Sequence, residues 1–190
     1  MSEESVVAAV LQKLESLGLP YMVVGSYASN VWGRPRTSFD ADVVVDLLPA
    51  DADRFLQAFA EGYSLEPQAV RLDIERGSMF NLIPISGLFK VSIIPVRKTA
   101  YAREEFKRRR QVQALGRSLW VATPEDTILS KLSWFRDGGE SSGRQFEDAR
   151  DTYANQRAGL DQAYLDHWAA ELKIEDLLKR IRAATGPARC

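Results

Sequence analysis

Two short apolar runs, each joined to a small chemical signature, constrain this chain more than anything else in its 190 residues. The run Tyr21–Val24 breaks at Gly25-Ser26, where a helical stretch through Trp32 begins, and the run Phe39–Leu47 carries Asp40 and Asp42 at its start. Alternation along a strand sets those two carboxylates on one face, a few ångströms apart. Like charges held that close repel unless a cation sits between them. Hard divalent cations such as Mg²⁺ take oxygen ligands of this kind and keep positions open for phosphate oxygens. Gly25 lets the backbone approach a ligand, and the helix that starts there offers unpaired N–H groups to an anion. Phosphate at one end and a metal at the other is the pattern of a nucleotide site.

The surrounding pattern predicts an α+β chain. Val6, Val7, Val10, Leu11, Leu14 and Leu17 recur at helical spacing until Gly18 and Pro20. A helix is expected over 49–60 with Phe55, Leu56 and Phe59 inward, and a short one over 66–75. Strands over 79–85 and 89–96 meet around Ser86-Gly87 as an antiparallel pair. A helix over 100–110 precedes a second hairpin, 111–115 with 118–122. Thr123 reads as a helix N-cap with Pro124 first in the helix and Asp126 as its capping partner. Helices are then expected over about 124–136, 144–156, 161–171 and 174–184, with GGESSG (138–143) as a loop. Strands gather before residue 122 and helices after it, which predicts a core over 1–122 and a helical subdomain over 123–190 packed on it.

Bulk properties narrow the function classes. A content of 45% hydrophobic and 27% charged residues suits a globular protein with a real core. A net charge of −1 supplies no global basic field for nucleic acid, so any such contact needs a local patch. No segment approaches the ~20 apolar residues of a membrane span. One histidine, His167, and one cysteine, Cys190, cannot build a zinc site or an internal disulfide. The acidic, amphipathic start lacks the basic opening of a secretory signal, and a cytoplasmic location is expected.

The stretch from Gly25-Ser26 to Asp40-Ala41-Asp42 resembles the signature of the nucleotidyltransferase-fold superfamily. Further along, Phe80-Asn81-Leu82-Ile83, Phe89-Lys90-Val91, Thr123-Pro124-Glu125-Asp126, Lys131-Leu132 and Arg144-Gln145 with Asp148 look like landmarks of its small bacterial members, related to the AbiEii-type toxins. The resemblance implies a mixed sheet flanked by helices with a C-terminal helical subdomain. It also implies metal-dependent transfer of a nucleotidyl group from an NTP to an acceptor hydroxyl, on a tRNA end or a protein, in a toxin–antitoxin or phage-defence setting with an antitoxin partner. Asp40 and Asp42 would hold Mg²⁺ (or Mn²⁺), Gly25 and Ser26 would cradle the triphosphate, Lys131 would contact phosphates and Asp148 would assist. Arg34 and Arg36 lie between the two motifs, where either could reach phosphate.

One position departs from the resemblance. The superfamily sets a third carboxylate on a neighbouring strand, and Ser92 stands at the matching place. A hydroxyl is a weak neutral ligand and cannot act as a base near neutral pH without activation. A second reading follows, a nucleotide-binding or regulatory protein whose turnover is impaired. Asp46 is no substitute, since four residues of extended chain carry it roughly 13 Å from Asp42.

Other features have bland readings. Asp148 can pair with Arg144 one turn earlier, and Lys131 can be a solvated helix lysine. In the run Lys107–Arg110, Glu104 and Glu105 precede Arg108 and Arg109 by four residues, the arrangement of a solvated helix face. Trp134 and Trp168 read as packing between helices.

Overall fold

The structure is a computed structural model that describes residues 3–87 and 89–186; Cys190, and with it the expectation about a disulfide, lies outside the described residues. The elements run α1 (Glu3–Ser16), β1 (Tyr21–Val24), α2 (Gly25–Trp32), β2 (Asp40–Val45), α3 (Ala52–Phe59), β3 (Tyr63–Ser64), α4 (Pro67–Arg76), β4 (Phe80–Pro84), β5 (Lys90–Pro95), α5 (Ala100–Arg108), β6 (Arg110–Ala114), β7 (Arg117–Val121), α6 (Pro124–Asp137), α7 (Gly143–Gln156), α8 (Gln162–Glu171) and α9 (Glu175–Ala184). Short 3-10 turns precede α3 and follow α7. The α+β expectation holds, and both expected hairpins are antiparallel. The two-residue strand β3 and the turn after α7 carry too little apolar pattern to be read from sequence.

The described residues form two compact units, one from 3–24 with 38–121 and one from 25–37 with 122–186. The first holds a seven-stranded mixed sheet in the order β3-β4-β5-β2-β1-β7-β6. β1 is antiparallel to β2, while β2 with β5 and β1 with β7 are parallel. Period-2 alternation divides β2 cleanly: Ala41, Val43 and Val45 are buried, and Asp40, Asp42 and Val44 are half-buried on the opposite face. The buried face continues through Val91 and Ile93 on β5 and Leu82 on β4. Helix α3 covers part of it with the stripe Phe55, Leu56, Phe59, and the Phe55 ring meets Phe80 edge-on at 5.6 Å. Helix α1 buries Val6, Val7, Val10, Leu11 and Leu14, and the Tyr21 hydroxyl ties β1 to it by donating to Glu15 at 2.7 Å.

In the second unit, α2 packs with α6 and α7. Trp32 Nε1 donates to the carbonyl of Ala122 at 2.8 Å, Asn155 Nδ2 to that of Gly33 at 2.9 Å, and Gln156 Nε2 to that of Trp32 at 2.9 Å. Gly33 is required by this approach: a Cβ there would lie 2.9 Å from the Ser29 carbonyl oxygen and 3.1 Å from the Thr152 amide nitrogen. Both are backbone atoms that cannot swing aside. Gly33→Ala is therefore expected to cost about 1–3 kcal/mol, the range for overpacking, as read by urea denaturation.

Helix α6 begins at the expected Thr123 cap, with the Asp126 carboxylate bonded to the cap's hydroxyl. The Thr123 hydroxyl accepts from the Asp126 amide at 3.1 Å and donates to the Asp126 carboxylate at 2.6 Å. The other Asp126 oxygen accepts from the Tyr164 hydroxyl at 2.6 Å, and Glu125 Oε1 accepts from the Asp161 amide at 2.9 Å. The Thr-Pro-Glu-Asp landmark is thus a buried structural corner that fixes α8 against α6. Trp134 departs from the packing expectation: the buried row is Ile128, Lys131, Leu132, Phe135, and the indole is 63% exposed.

Candidate functional site

The sequence-predicted residues fall into two groups, one in each unit. In the sheet unit, the parallel register pairs Asp40 with Lys90 and Asp42 with Ser92, and the antiparallel register pairs Val24 with Asp42 and Asn81 with Ser92. A polar row Asp42–Ser92–Asn81 therefore crosses three strands on the half-exposed face. Ser92 is buried at 2% exposure and donates its hydroxyl proton to Asn81 Oδ1 at 3.2 Å. Lys90 Nζ stands 3.8 Å from Asp40 Oδ2, a half-exposed pair weakened by solvent. Asn81 belongs to this row and Lys90 to the same strand face, paired with Asp40, yet the sequence alone offers them only as landmarks. Period 2 shows that Lys90 and Ser92 share a face, but only the β2–β5 register shows which acid each one meets.

Two carboxylates, a hydroxyl and an amide oxygen make an all-oxygen donor set, and no group of three or more acidic, histidine or cysteine side chains gathers among the described residues. Mg²⁺ commonly binds through one or two carboxylates and takes its remaining ligands from phosphate and water, so Asp40 and Asp42 fit such an ion.

The second group surrounds Arg36. Its guanidinium grips Asp148 with two parallel bonds, Nε to Oδ1 at 3.0 Å and Nη2 to Oδ2 at 2.7 Å, the fork geometry that fixes both planes. Nη2 also donates to Ser26 Oγ at 3.1 Å. Lys131 Nζ donates to Asp148 Oδ2 at 2.9 Å from a side chain only 5% exposed. Asn30 holds the Arg36 backbone from both sides, donating to its carbonyl at 2.7 Å and accepting from its amide at 3.0 Å. Asn30 was not singled out from sequence; a lone Asn inside a short helix gives no signal there.

Asp148 thus binds Arg36 and Lys131 rather than the Arg144 of the local reading, and Lys131 is buried rather than solvated. Burial pushes the Asp148 carboxyl up, but hydrogen bonds and charge from Arg36 and Lys131 outweigh it and hold the group below the usual carboxylate range. Two cations against one acid leave a net positive charge. The first turn of α2 adds to it: Gly25 sits at φ +64°, the turn contains no acidic residue, and helix N-termini carry unpaired N–H groups and the positive dipole end. The cluster of Gly25, Ser26, Arg36 and Lys131 is therefore suited to an anion such as phosphate. A hollow of about 460 Å³ over α3, β3 and α4, lined by Leu56, Tyr63, Leu65 and Pro67 among others, includes none of these residues.

No protein-family model matches the chain, and no curated protein matches it significantly in sequence. Solved structures do match in fold. The antibiotic-resistance factor ANT(2'')-Ia aligns with a TM-score of 0.59 at 12% identity, over 96% of this chain and 97% of its own. A nucleotidyltransferase-like antigenic protein from Paracoccidioides brasiliensis aligns with a TM-score of 0.55 at 17% identity, over 95% and 92%. The lincosamide antibiotic adenylyltransferase LnuA, solved with lincomycin, aligns with a TM-score of 0.55 at 14% identity, over 80% and 96%. Identities this low speak for backbone arrangement alone, and on that evidence the chain has a nucleotidyltransferase-like fold.

Proposed function

We propose that this chain is a metal-dependent nucleotidyltransferase that moves NMP from an NTP to an acceptor hydroxyl, releasing pyrophosphate. The observation that carries the reading is the pair Asp40 and Asp42 on the half-exposed face of β2, in a sheet of nucleotidyltransferase-like fold. A bound Mg²⁺ or Mn²⁺ would neutralise charge on the phosphoryl and leaving oxygens. Asp40 and Asp42 would hold it. Gly25 and Ser26 would receive phosphate through the α2 N-terminus, and Arg36 with Lys131 would supply positive charge, their directions set by Asp148.

The acceptor classes are a tRNA end or a protein hydroxyl. A small molecule such as an antibiotic is less favoured, although solved structures similar in fold hold lincomycin and adenylyl-2''-tobramycin. A role in a toxin–antitoxin or phage-defence pair of the AbiEii-like branch, with an antitoxin partner and a cytoplasmic location, belongs to the same proposal. Among the described residues no helix is long and apolar enough to cross a membrane.

A second reading has one observation behind it: Ser92 stands directly beside Asp42, where a third carboxylate would act. In that reading the chain binds Mg-nucleotide and turns over little. Incubation with α-labelled NTPs, Mg²⁺ or Mn²⁺, and pools of tRNA and protein is expected to label an acceptor. Asp42→Asn should abolish the label, and Arg36→Ala should weaken NTP binding about tenfold, as lost charge-assisted hydrogen bonds do. Metal-dependent NTP binding without transfer would favour the second reading; absence of NTP binding would end both.

A further inference from the structure

Residues 97–110 hold seven cations (Arg97, Lys98, Arg103, Lys107, Arg108, Arg109, Arg110) against two acids, Glu104 and Glu105. That segment carries +5 in a chain of net −1, so the remainder carries −6. Such a local reversal of sign is what a polyanion recognises in an otherwise acidic protein. The expected i,i+4 neutralisation is incomplete. Arg109 is spent differently: its guanidinium lies 4.3 Å over the Phe106 ring and 5.2 Å from the Trp120 ring, and it donates to the Phe106 carbonyl at 2.6 Å. Arg97, Lys98, Arg103, Lys107 and Arg110 are exposed and make no ion pair with any described residue. Arg103 and Lys107 share one face of α5 by their four-residue spacing.

One cation of the segment, Arg109, adjoins an exposed aromatic, Trp120. Trp120 is 37% exposed, and Arg110 opens the neighbouring edge strand β6 with Val121 as its partner, so alternation sets Arg110 on the other face of the strand edge from the Gln111–Trp120 pair. Gln111, the partner of Trp120, and Gln113 are exposed on the same strand. A fixed indole with a stacked guanidinium, amide side chains and a row of free cations is the composition that holds unpaired bases by stacking and the backbone by charge.

We propose that the α5–β6 surface with Trp120 binds a single-stranded nucleic acid. As an acceptor site it rests on the nucleotidyl-transfer reading; as a binding site it does not, since binding is measured without NTP. An acidic protein would use the cations but not the indole, and a duplex keeps its bases stacked inside.

The test is fluorescence anisotropy with a labelled 12-nucleotide RNA, the same sequence as DNA, the corresponding RNA duplex, and poly-glutamate. Either single strand should bind, and the RNA and DNA arms identify which is preferred. Five phosphate contacts predict that log K falls with log[salt] at a slope of about −3.5. Arg103→Glu/Lys107→Glu/Arg110→Glu should lower affinity at least about thirtyfold and reduce the slope by about 2. Arg76→Glu/Lys173→Glu/Lys179→Glu, with the same charge change elsewhere, should bind as the unaltered chain does. Trp120→Leu should lose about tenfold with the salt slope unchanged. Equal binding by the α5–β6 triple variant, duplex or poly-glutamate binding as tight as the single strand, or no binding at about 50 mM salt would each overturn the proposal. Loss of label transfer with strand binding intact would instead count against the nucleotidyl-transfer reading.

Discussion

Asp148→Ala is expected to destabilise the protein by about 3–5 kcal/mol at pH 7, the range for removing one partner of a buried ion pair. The reason is what remains behind. Lys131, 5% exposed, would be left in a buried place with its acid removed, whereas Arg36, 26% exposed, can turn to water. Asp148→Asn keeps a hydrogen-bond acceptor and should cost less, and Asp148→Leu with Lys131→Met should recover much of the loss, because an apolar replacement of a buried pair is often neutral. The pH dependence has a defined sign. The folded carboxyl titrates below the usual range despite burial, because Arg36 and Lys131 bind its charged form. Its contribution is therefore complete above the unfolded value of about 3.9 and disappears as pH falls through the lower folded value. Urea denaturation at pH 7 and near pH 2 should show the gap between wild type and Asp148→Asn closing in acid. A cost below about 1 kcal/mol at pH 7, or one that does not change with pH, would show that the triad is not held by charge.

What could be read without coordinates followed the range of the interaction. The alternation of Asp40-Ala41-Asp42 and the α1 stripe from Val6 to Leu14 are local periodicities, and both appear in the structure as expected, while Leu17 falls in the turn just past α1. The capping corner at Thr123 is equally local and equally legible. Local pattern misleads where a nearby partner is present and a distant one prevails. Asp148 has Arg144 one turn away, yet it is bound by Arg36, 112 residues earlier, and Lys131, 17 earlier. Arg109 has Glu105 at i−4, but the Phe106 and Trp120 rings flank its guanidinium, and Trp120 is brought there only by the β6–β7 pairing. Lys90 and Asn81 were visible as residues but not as neighbours of Asp40 and Ser92, since strand register is a non-local quantity. The grouping of Gly25–Thr37 with the C-terminal helices follows from Gly33 and the bonds to Ala122, Asn155 and Gln156, none of which has a sequence signature.

The position at 92 offers the sharper functional test, because it separates binding from turnover. Ser92→Asp would set a third carboxylate beside Asp42 and within reach of Asn81, in a place now 2% exposed. Two effects should appear together. Without divalent metal the new carboxyl is buried next to a like charge, both of which raise its folded value; the resulting loss of stability grows as pH rises from the unfolded value through the folded one and is complete above it. Lowering the pH should relieve it, and added Mg²⁺ should relieve it at pH 7, read as recovery of Tm. With Mg²⁺ and NTP present, a base positioned to activate the acceptor hydroxyl should raise label transfer by about 10²–10⁴-fold. Asp42→Asn in the same background should erase both the metal-dependent recovery and the gain, whereas Asn81→Ala should spare the first, because Asp40, Asp42 and the new carboxylate remain. A variant that recovers its stability with Mg²⁺ and binds NTP, yet transfers no more label than wild type, would show that the hydroxyl at 92 is not what limits this protein, and the search for the missing base would move to the acceptor itself.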